Sequence, residues 1–260
     1  MTLLRCKNLG MRFGGLQAVS DFNLDLEQGE LVGIIGPNGA GKTTVFNLLT
    51  GVYVPTSGTI ELLDNDRQVV LNGKKPYHIT QLGVARTFQN IRLFNELSVL
   101  DNVRIAYHFN VKYNLPSAIL RLPSFHKEEK EVLEKAIRFL EIFGLEHRRH
   151  EMAKNLPYGE QRRLEIARAL AAQPKLLLLD EPAAGMNPNE TQQLMELIRW
   201  IRREFDLTIL LIEHHMEVVM GVCDWIVVLD YGVTIAKGTA TEIRNNPKVI
   251  EAYLGEEAVV

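Results

Sequence analysis

Apolar and polar positions follow different rhythms along the chain. Residues 2–35 mix the two at short range, which predicts β-structure, and end in the apolar run "ELVGIIG". After a glycine-rich break, "TTVFNLLTG" predicts a helix stopped by Gly51, since glycine enters the left-handed C-cap conformation without a Cβ clash. "GTIELL" and "RQVVLNG" predict short strands around turns. From about Asn95 the period becomes helical: "EEKEVLEKAIRFLEIFG" carries Val132, Leu133, Ala136, Ile137, Leu140 and Phe143 at helical spacing and closes at Gly144. A mostly helical segment is expected over about 95–171, with a looser stretch, "KYNLPSAILRLPSFHK", that holds two prolines and no clear period. Strand character returns at "KLLLLDEP". The helix "NETQQLMELIRWIRREF" then leads into the strand "LTILLIEHH", and another helix follows. "DWIVVLDYG" and "VTIAKG" predict a terminal hairpin, and "TEIRNNPKVIEAYLGEE" helical pieces. Strand–helix–strand order predicts a largely parallel α/β core with a helical subdomain inserted in it.

Composition narrows this picture little. The 260 residues are 46% hydrophobic and 23% charged, an ordinary globular balance with length for one large core or two modest ones. A net charge of -3 offers no basic footprint, so nucleic acid is not expected as the main ligand. Cys6 and Cys223 fit no metal spacing and read as plain thiols of a reducing compartment. The longest apolar runs, such as Leu176–Leu179 and Ile226–Leu229, fall far short of a bilayer span. "MTLLRCKNLG" lacks the apolar centre of a signal peptide, so the expectation is a cytoplasmic protein.

Chemistry enters at two glycine-marked helix starts, each suited to an anion because free N–H groups and the positive dipole end point outward. The first, "GPNGAGKTT" (Gly36, Pro37, Asn38, Gly39, Ala40, Gly41, Lys42, Thr43, Thr44), is a full P-loop between a strand and a helix. Its glycines let backbone amides approach phosphates, Lys42 reaches the β/γ oxygens, and the Thr43 hydroxyl suits Mg²⁺. The complementary half is an apolar strand ending in a carboxylate, which "LLLLDEP" supplies. Asp180 is expected on Mg²⁺ through its water shell, and Glu181 as the general base facing the attacking water. No Asn-Lys-x-Asp guanine motif occurs, which excludes a Ras-like reading. The second helix start lies in "NLPYGEQRRLEIARAL", residues 155–170.

These motifs, in this order, resemble the nucleotide-binding subunits of ABC transporters over essentially the whole chain. "GPNGAGKTT" resembles the Walker A loop, Gln89 in "RTFQN" the Q-loop glutamine, and "LPYGEQ" the signature usually written LSGGQ. "LLLLDEP" resembles Walker B with its catalytic glutamate, "AGMN" the D-loop, and His214 in "LIEHH" the switch histidine. Phe13 sits where an aromatic ring stacks on adenine. The resemblance implies a P-loop NTPase (RecA-like) core, an antiparallel β subdomain and an inserted helical signature subdomain at about 95–171. It implies an ATP hydrolase with ATP and Mg²⁺, the metal meeting Thr43, Gln89 and Asp180, and Glu181, His214 and Gln89 in catalysis. It also explains the two anion sites. In the family two subunits pair head to tail, and the signature of one, here Gly159 and Glu160, covers the ATP held by the other. Pro157, Tyr158 and Glu160 depart from the signature, and Asn187 stands where the D-loop usually has Asp.

Three stretches narrow the subfamily. "KNLGMRFGGLQAVSDFNL", "PSFHKEEKEVLEKAIRFLEIFGL" and "EIRNNPKVIEAYLGEE" resemble the ATPases of branched-chain amino acid importers. That implies a second ATPase subunit, either a similar chain or a second copy of this one, two membrane permease subunits, an external substrate-binding protein and a peripheral place on the cytoplasmic face of the membrane. The lipopolysaccharide-export ATPase is the nearest rival, and ABC ATPases of DNA repair or translation are a more distant one. Repair types place a long coiled coil between Walker A and B, and translation types carry two cassettes; this chain has neither feature. Arg86, Phe94 and Leu97 flank the Q-loop, where membrane subunits dock in the family. Arg86 is equally readable as a solvated surface arginine, and Phe94 and Leu97 as plain core. Trp200 and Trp225 read as core, and His215 as a bystander.

Overall fold

The computed structural model describes residues 1–64, 67–107 and 115–257. The start of the looser proline-containing stretch, residues 112–114, and the chain beyond Glu257 lie outside them. Two compact units divide the chain: Met1–Arg86 with Lys175–Val260, and Thr87–Pro174.

The first unit holds two sheets. In one, β1 (Thr2–Phe13), β2 (Leu16–Glu27), β4 (Ser57–Asp64) and β5 (Arg67–Val70) run antiparallel in the order β2-β1-β4-β5. Along β2, Phe22, Leu24 and Leu26 are buried while Asp21, Asn23 and Asp25 are exposed, the alternation of a sheet with one wet face. The other sheet contains β3 (Leu31–Ile35), β6 (Val84–Arg86), β7 (Leu176–Asp180), β8 (Thr208–Ile212), β9 (Trp225–Asp230) and β10 (Val233–Gly238), in the order β10-β9-β3-β8-β7-β6. Its neighbours pair in parallel except the β9–β10 hairpin. Every residue of β3, β7 and β8 is buried, which is why these strands are unbroken apolar runs.

One core joins Phe22, Leu24 and Leu26 of the antiparallel sheet to Val32, Ile34, Leu178, Leu210 and Ile212 of the parallel one, with Val45 and Phe46 of α1 (Lys42–Leu49) among them. A smaller core contains Ile35, Ile226, Val228 and, from α8 (Met216–Val222) onward, Val219, Ile243 and Val249. The P-loop NTPase fold with its antiparallel β-sheet is therefore present. The short helix α2 (Pro76–Gln81) and the three-residue strand β6 were not anticipated; neither is long enough to display a period. Trp200 and Trp225 are half-buried: Trp225 packs against the main core with Lys237 Nζ 3.9 Å from its ring centre, and Trp200 meets Phe205 edge-on at 5.8 Å.

The second unit is helical, built on α3 (Val99–Tyr107), α4 (Leu115–Ile119), α5 (Pro123–Ile142) and α6 (Tyr158–Ala171), with α3 packed on α5 and α6. On α5 the apolar stripe buries Val132, Ala136 and Leu140, and Phe143 is buried just past its end. The unit also takes in residues 87–94, which α6 holds from beneath. Arg162, fully buried, donates to the carbonyls of Phe88 (2.6 Å) and Gln89 (2.8 Å) and to Glu165 (2.8 Å). Glu165 accepts from the Arg92 amide at 3.1 Å and from that of Phe88 at 3.4 Å. Burial pushes the Glu165 carboxyl above its ordinary range, and the two amides with Arg162 oppose that shift.

Candidate active site

The carboxyl ends of the parallel strands meet where open α/β sheets bind ligands. The P-loop leaves β3 there, between β8 and β9. Two of its glycines are demanded by what lies beneath. A Cβ on Gly36 (φ 149°) would sit 2.0 Å from the Leu229 carbonyl oxygen, and one on Gly41 (φ 99°) 2.5 Å from that of Ala18. At Gly39 (φ 78°) a Cβ would face open space, so the loop is bare on its outer side. Pro37 and Ala40 are buried, whereas Asn38 and Gly39 are exposed. Lys42 curls back over the loop: its Nζ donates to the Gly36 and Pro37 carbonyls at 2.7 Å each, and only 5% of the residue is exposed. Beside it, in the first turn of α1, Thr43 is exposed and Thr44 half-buried. An ammonium held in a ring of backbone at a helix start suits a phosphate chain, and the residues present fit a nucleoside triphosphate.

Asp180 ends β7, buried at 3% exposure, and pairs with Arg86 at 2.6 Å. Arg86, read from sequence as either a docking residue or a solvated surface arginine, is instead an internal one: only 6% of its side chain is exposed. Glu181 follows in the left-handed region (φ 46°), a conformation that costs a non-glycine residue about 1 kcal/mol or more and concentrates at functional sites. It is held there by its N–H, which donates to the Ile212 carbonyl of β8 at 2.8 Å. Glu181 Oε1 and His214 Nε2 are 2.8 Å apart, so the expected base and switch histidine touch. Among the described residues no three His, Cys, Asp or Glu side chains cluster around a possible metal position. A hydroxyl and one carboxylate, Thr43 and Asp180, suit Mg²⁺, which keeps waters and takes its other oxygens from substrate phosphates.

Glu213 escaped the sequence reading, yet it organises this corner. It is buried at 1% exposure and accepts from the backbone amides of Ala183 (2.7 Å), His214 (2.8 Å) and His215 (3.0 Å). One carboxylate thereby ties the turn after Glu181 to the turn carrying His214. The signal was present: an acid directly after the wholly apolar "ILLI" of a buried strand needs partners.

Phe13 ends β1 at 40% exposure, its ring edge-on to Tyr53 at 5.2 Å, leaving aromatic surface for a stacking partner. Gln89, Gly159 and Glu160 belong to the second unit. Gln89 is exposed, with its carbonyl clamped by Arg162. Gly159 is in the first turn of α6, and there the amides of Glu160 and Gln161 already donate to the Pro157 carbonyl at 3.0 and 2.9 Å. The Glu160 carboxylate pairs with Arg148 Nε at 2.7 Å. Both polar ends of Glu160 are therefore engaged within the unit. Phe94 is 47% exposed, which removes the core reading for that residue, while Leu97 is half-buried. Burial pushes the Cys6 and Cys223 thiols up, as for plain structural cysteines.

The family model described as ABC transporter matches residues 19–184, which take in the P-loop, Gln89, the α6 start, Asp180 and Glu181. The chain belongs to the ABC transporter family. As such a cassette it is an ATP-binding, ATP-hydrolysing subunit. A second model, described as branched-chain amino acid ATP-binding cassette transporter, matches residues 233–259 of the cassette. The cassette is 52% identical to the high-affinity branched-chain amino acid transport ATP-binding protein LivG of Escherichia coli (strain K12), over 98% of each chain. It is 36% identical to the lipopolysaccharide export system ATP-binding protein LptB of the same strain, over 99% of each. A solved ATP-binding cassette of an ABC transporter in its ADP conformation superposes with a TM-score of 0.83 at 30% identity, covering 98% of this chain and 99% of that one. In the cassette, Asn187 caps α7 (Pro188–Glu204) through a reciprocal capping box with Glu190, a role Asp would fill equally well. No helix among the described residues is long and apolar enough to cross a membrane.

Proposed function

We propose that this cassette powers an importer of branched-chain amino acids. It works at the cytoplasmic face of the membrane, paired with a second cassette beneath two permease subunits that an external binding protein supplies. The observation that carries this reading is the match of residues 233–259 to the branched-chain cassette model, supported by 52% identity to LivG against 36% to LptB.

Phe13 stacks on adenine, and the amides of the 36–44 loop with Lys42 Nζ hold the phosphate chain. Thr43 and Asp180, with Gln89 as the family resemblance implies, would hold Mg²⁺, which would supply positive charge to the phosphate chain. Glu181 accepts the proton of the attacking water. His214 Nε2, at 2.8 Å from Oε1, keeps that carboxylate oriented, and Glu213 keeps His214 in place. The α6 start covers the nucleotide of the partner cassette. Because Glu160 is committed to Arg148 and Pro157, the leading amides of Tyr158 and Gly159 make that contact. Each chain then lends its two anion sites to two different ATP molecules, and hydrolysis releases the pair.

The test is transport by the assembled complex in proteoliposomes. With wild-type cassette, leucine uptake requires ATP. With Glu181→Gln, nucleotide binding persists while hydrolysis and uptake both fall by at least about a hundredfold. ATP-dependent uptake at the wild-type rate by the variant removes Glu181 as base, and no leucine uptake by the intact wild-type complex removes the substrate assignment.

A further inference from the structure

Arg86 lies at a junction that has no part in the proposed hydrolysis steps. Strand β6 pairs in parallel with β7 so that Arg86 faces Leu178, two residues short of Asp180. Side chains two apart share a face of a strand, so Arg86 and Asp180 emerge on the same side of the sheet. One arm of the guanidinium, Nη2, donates to Asp180 Oδ2 at 2.6 Å. The other, Nη1, donates to Asn47 Oδ1 at 2.7 Å and Thr50 Oγ1 at 3.2 Å. Its carbon lies 5.5 Å from the centre of the Phe46 ring. Asn47 and Phe46 belong to α1, the helix that begins with Lys42 and Thr43, and Thr50 caps its end.

A buried ion pair is a poor device for stability alone, because the desolvation cost of two charges offsets most of their attraction. This one joins the two elements that carry the expected metal partners: Thr43 on α1 and Asp180 at the end of β7. We propose that Arg86 is a positioning residue for the metal: its fork spans α1 and β7, fixing the Asp180 carboxylate in register with the Thr43 hydroxyl. The function is geometric and needs a planar fork with donors on both arms. A lysine supplies the same charge from a single point and cannot reproduce it. The proposal rests on the reading of Asp180 as a metal partner.

The test separates geometry from charge by titrating Mg²⁺ against binding of a fluorescent ATP analogue to the purified chain, with binding in EDTA as reference. Loss of a residue that orients a metal-binding side chain typically weakens metal affinity by about ten- to a hundredfold. Arg86→Lys is expected to raise the Mg²⁺ midpoint by at least about tenfold while leaving binding in EDTA unchanged. The double variant Asn47→Ala, Thr50→Val keeps the ion pair and removes the α1 side of the fork. It shifts the midpoint in the same direction, and it decides the matter if Arg86→Lys does not fold. Asp180→Asn is the control. A wild-type midpoint in Arg86→Lys, or in the double variant, alongside a shifted one in Asp180→Asn overturns the role of Arg86. An unshifted midpoint in Asp180→Asn overturns the metal reading of Asp180, and this proposal with it.

Discussion

Glu213→Gln removes one charge and one acceptor and alters the side-chain volume little. In the structure Oε1 accepts from the Ala183 amide at 2.7 Å, and Oε2 from the amides of His214 at 2.8 Å and His215 at 3.0 Å. A glutamine has one oxygen. If that oxygen takes the two-donor side, its NH₂ group faces the Ala183 N–H, donor against donor, in a loop where Ala183 is wholly buried. Hydrogen bonds to a charged acceptor contribute about 1.5–3 kcal/mol each, and a stranded buried donor costs about 1–3 kcal/mol. In that orientation the histidine amides keep their acceptor and the stranded Ala183 donor sets a net loss of about 2 kcal/mol for Gln; Ala leaves both turns without an acceptor, with water regained only at the exposed histidine turn, and costs about 2–4 kcal/mol. Urea unfolding followed by tryptophan fluorescence measures it cleanly, because Trp200 and Trp225 both lie in the first unit with Glu213. Turnover should fall further than stability suggests. Glu213 accepts from the amides of His214 and His215 and so fixes the backbone that carries His214 to Glu181, and a displacement of about 1 Å at a catalytic group can cost about a hundredfold. If Glu213→Gln unfolds within about 0.5 kcal/mol of wild type and turns over ATP at the wild-type rate, the account of this corner is wrong.

Phe13→Ala should weaken ATP binding by about 1–3 kcal/mol, the scale of base–aromatic stacking, and Phe13→Tyr should leave it close to wild type; equal affinity in wild type and the Ala variant, by equilibrium titration, places adenine elsewhere. Gly159→Asp puts a negative charge at the α6 start, so ATP binding to the isolated chain through the intact 36–44 loop should barely change while ATP-driven pairing falls. Lys42→Ala should lose binding itself, and a complex assembled from one chain of each kind should regain part of the activity, since one shared site then carries neither defect. A stable Gly159→Asp pair with ATP, seen by light scattering, would falsify the placement of that glycine against the partner's nucleotide.

Local chemistry was legible wherever one stretch of chain carries it whole. The P-loop states its own geometry, since a glycine is required by φ and by the Leu229 and Ala18 carbonyls at Gly36 and Gly41, and a lysine and threonine must follow. The buried runs "LLLLD" and "TILLI" announce parallel strands because burial on both faces leaves no place for polar residues. The stripe on α5 announces a helix because its period is written over many residues. What remained hidden depends on residues distant in sequence. Arg86 lies 94 positions from Asp180, and an arginine in a three-residue strand has no pattern to mark it as buried rather than as a docking side chain. Glu213 meets Ala183 across 30 positions, and only the parallel pairing of β7 with β8 brings their turns together. Arg162 reaches Phe88 and Gln89 across 74 and 73 positions, a clamp no helical period in α6 implies. Sequence by itself determined which groups this protein carries and on which kinds of element, because helix, strand and phosphate loop follow from short-range sterics and periodic burial. The tertiary structure alone decided which charges are paired out of reach of water and which loops share one carboxylate, because those contacts exist only when strands far apart in the chain lie side by side.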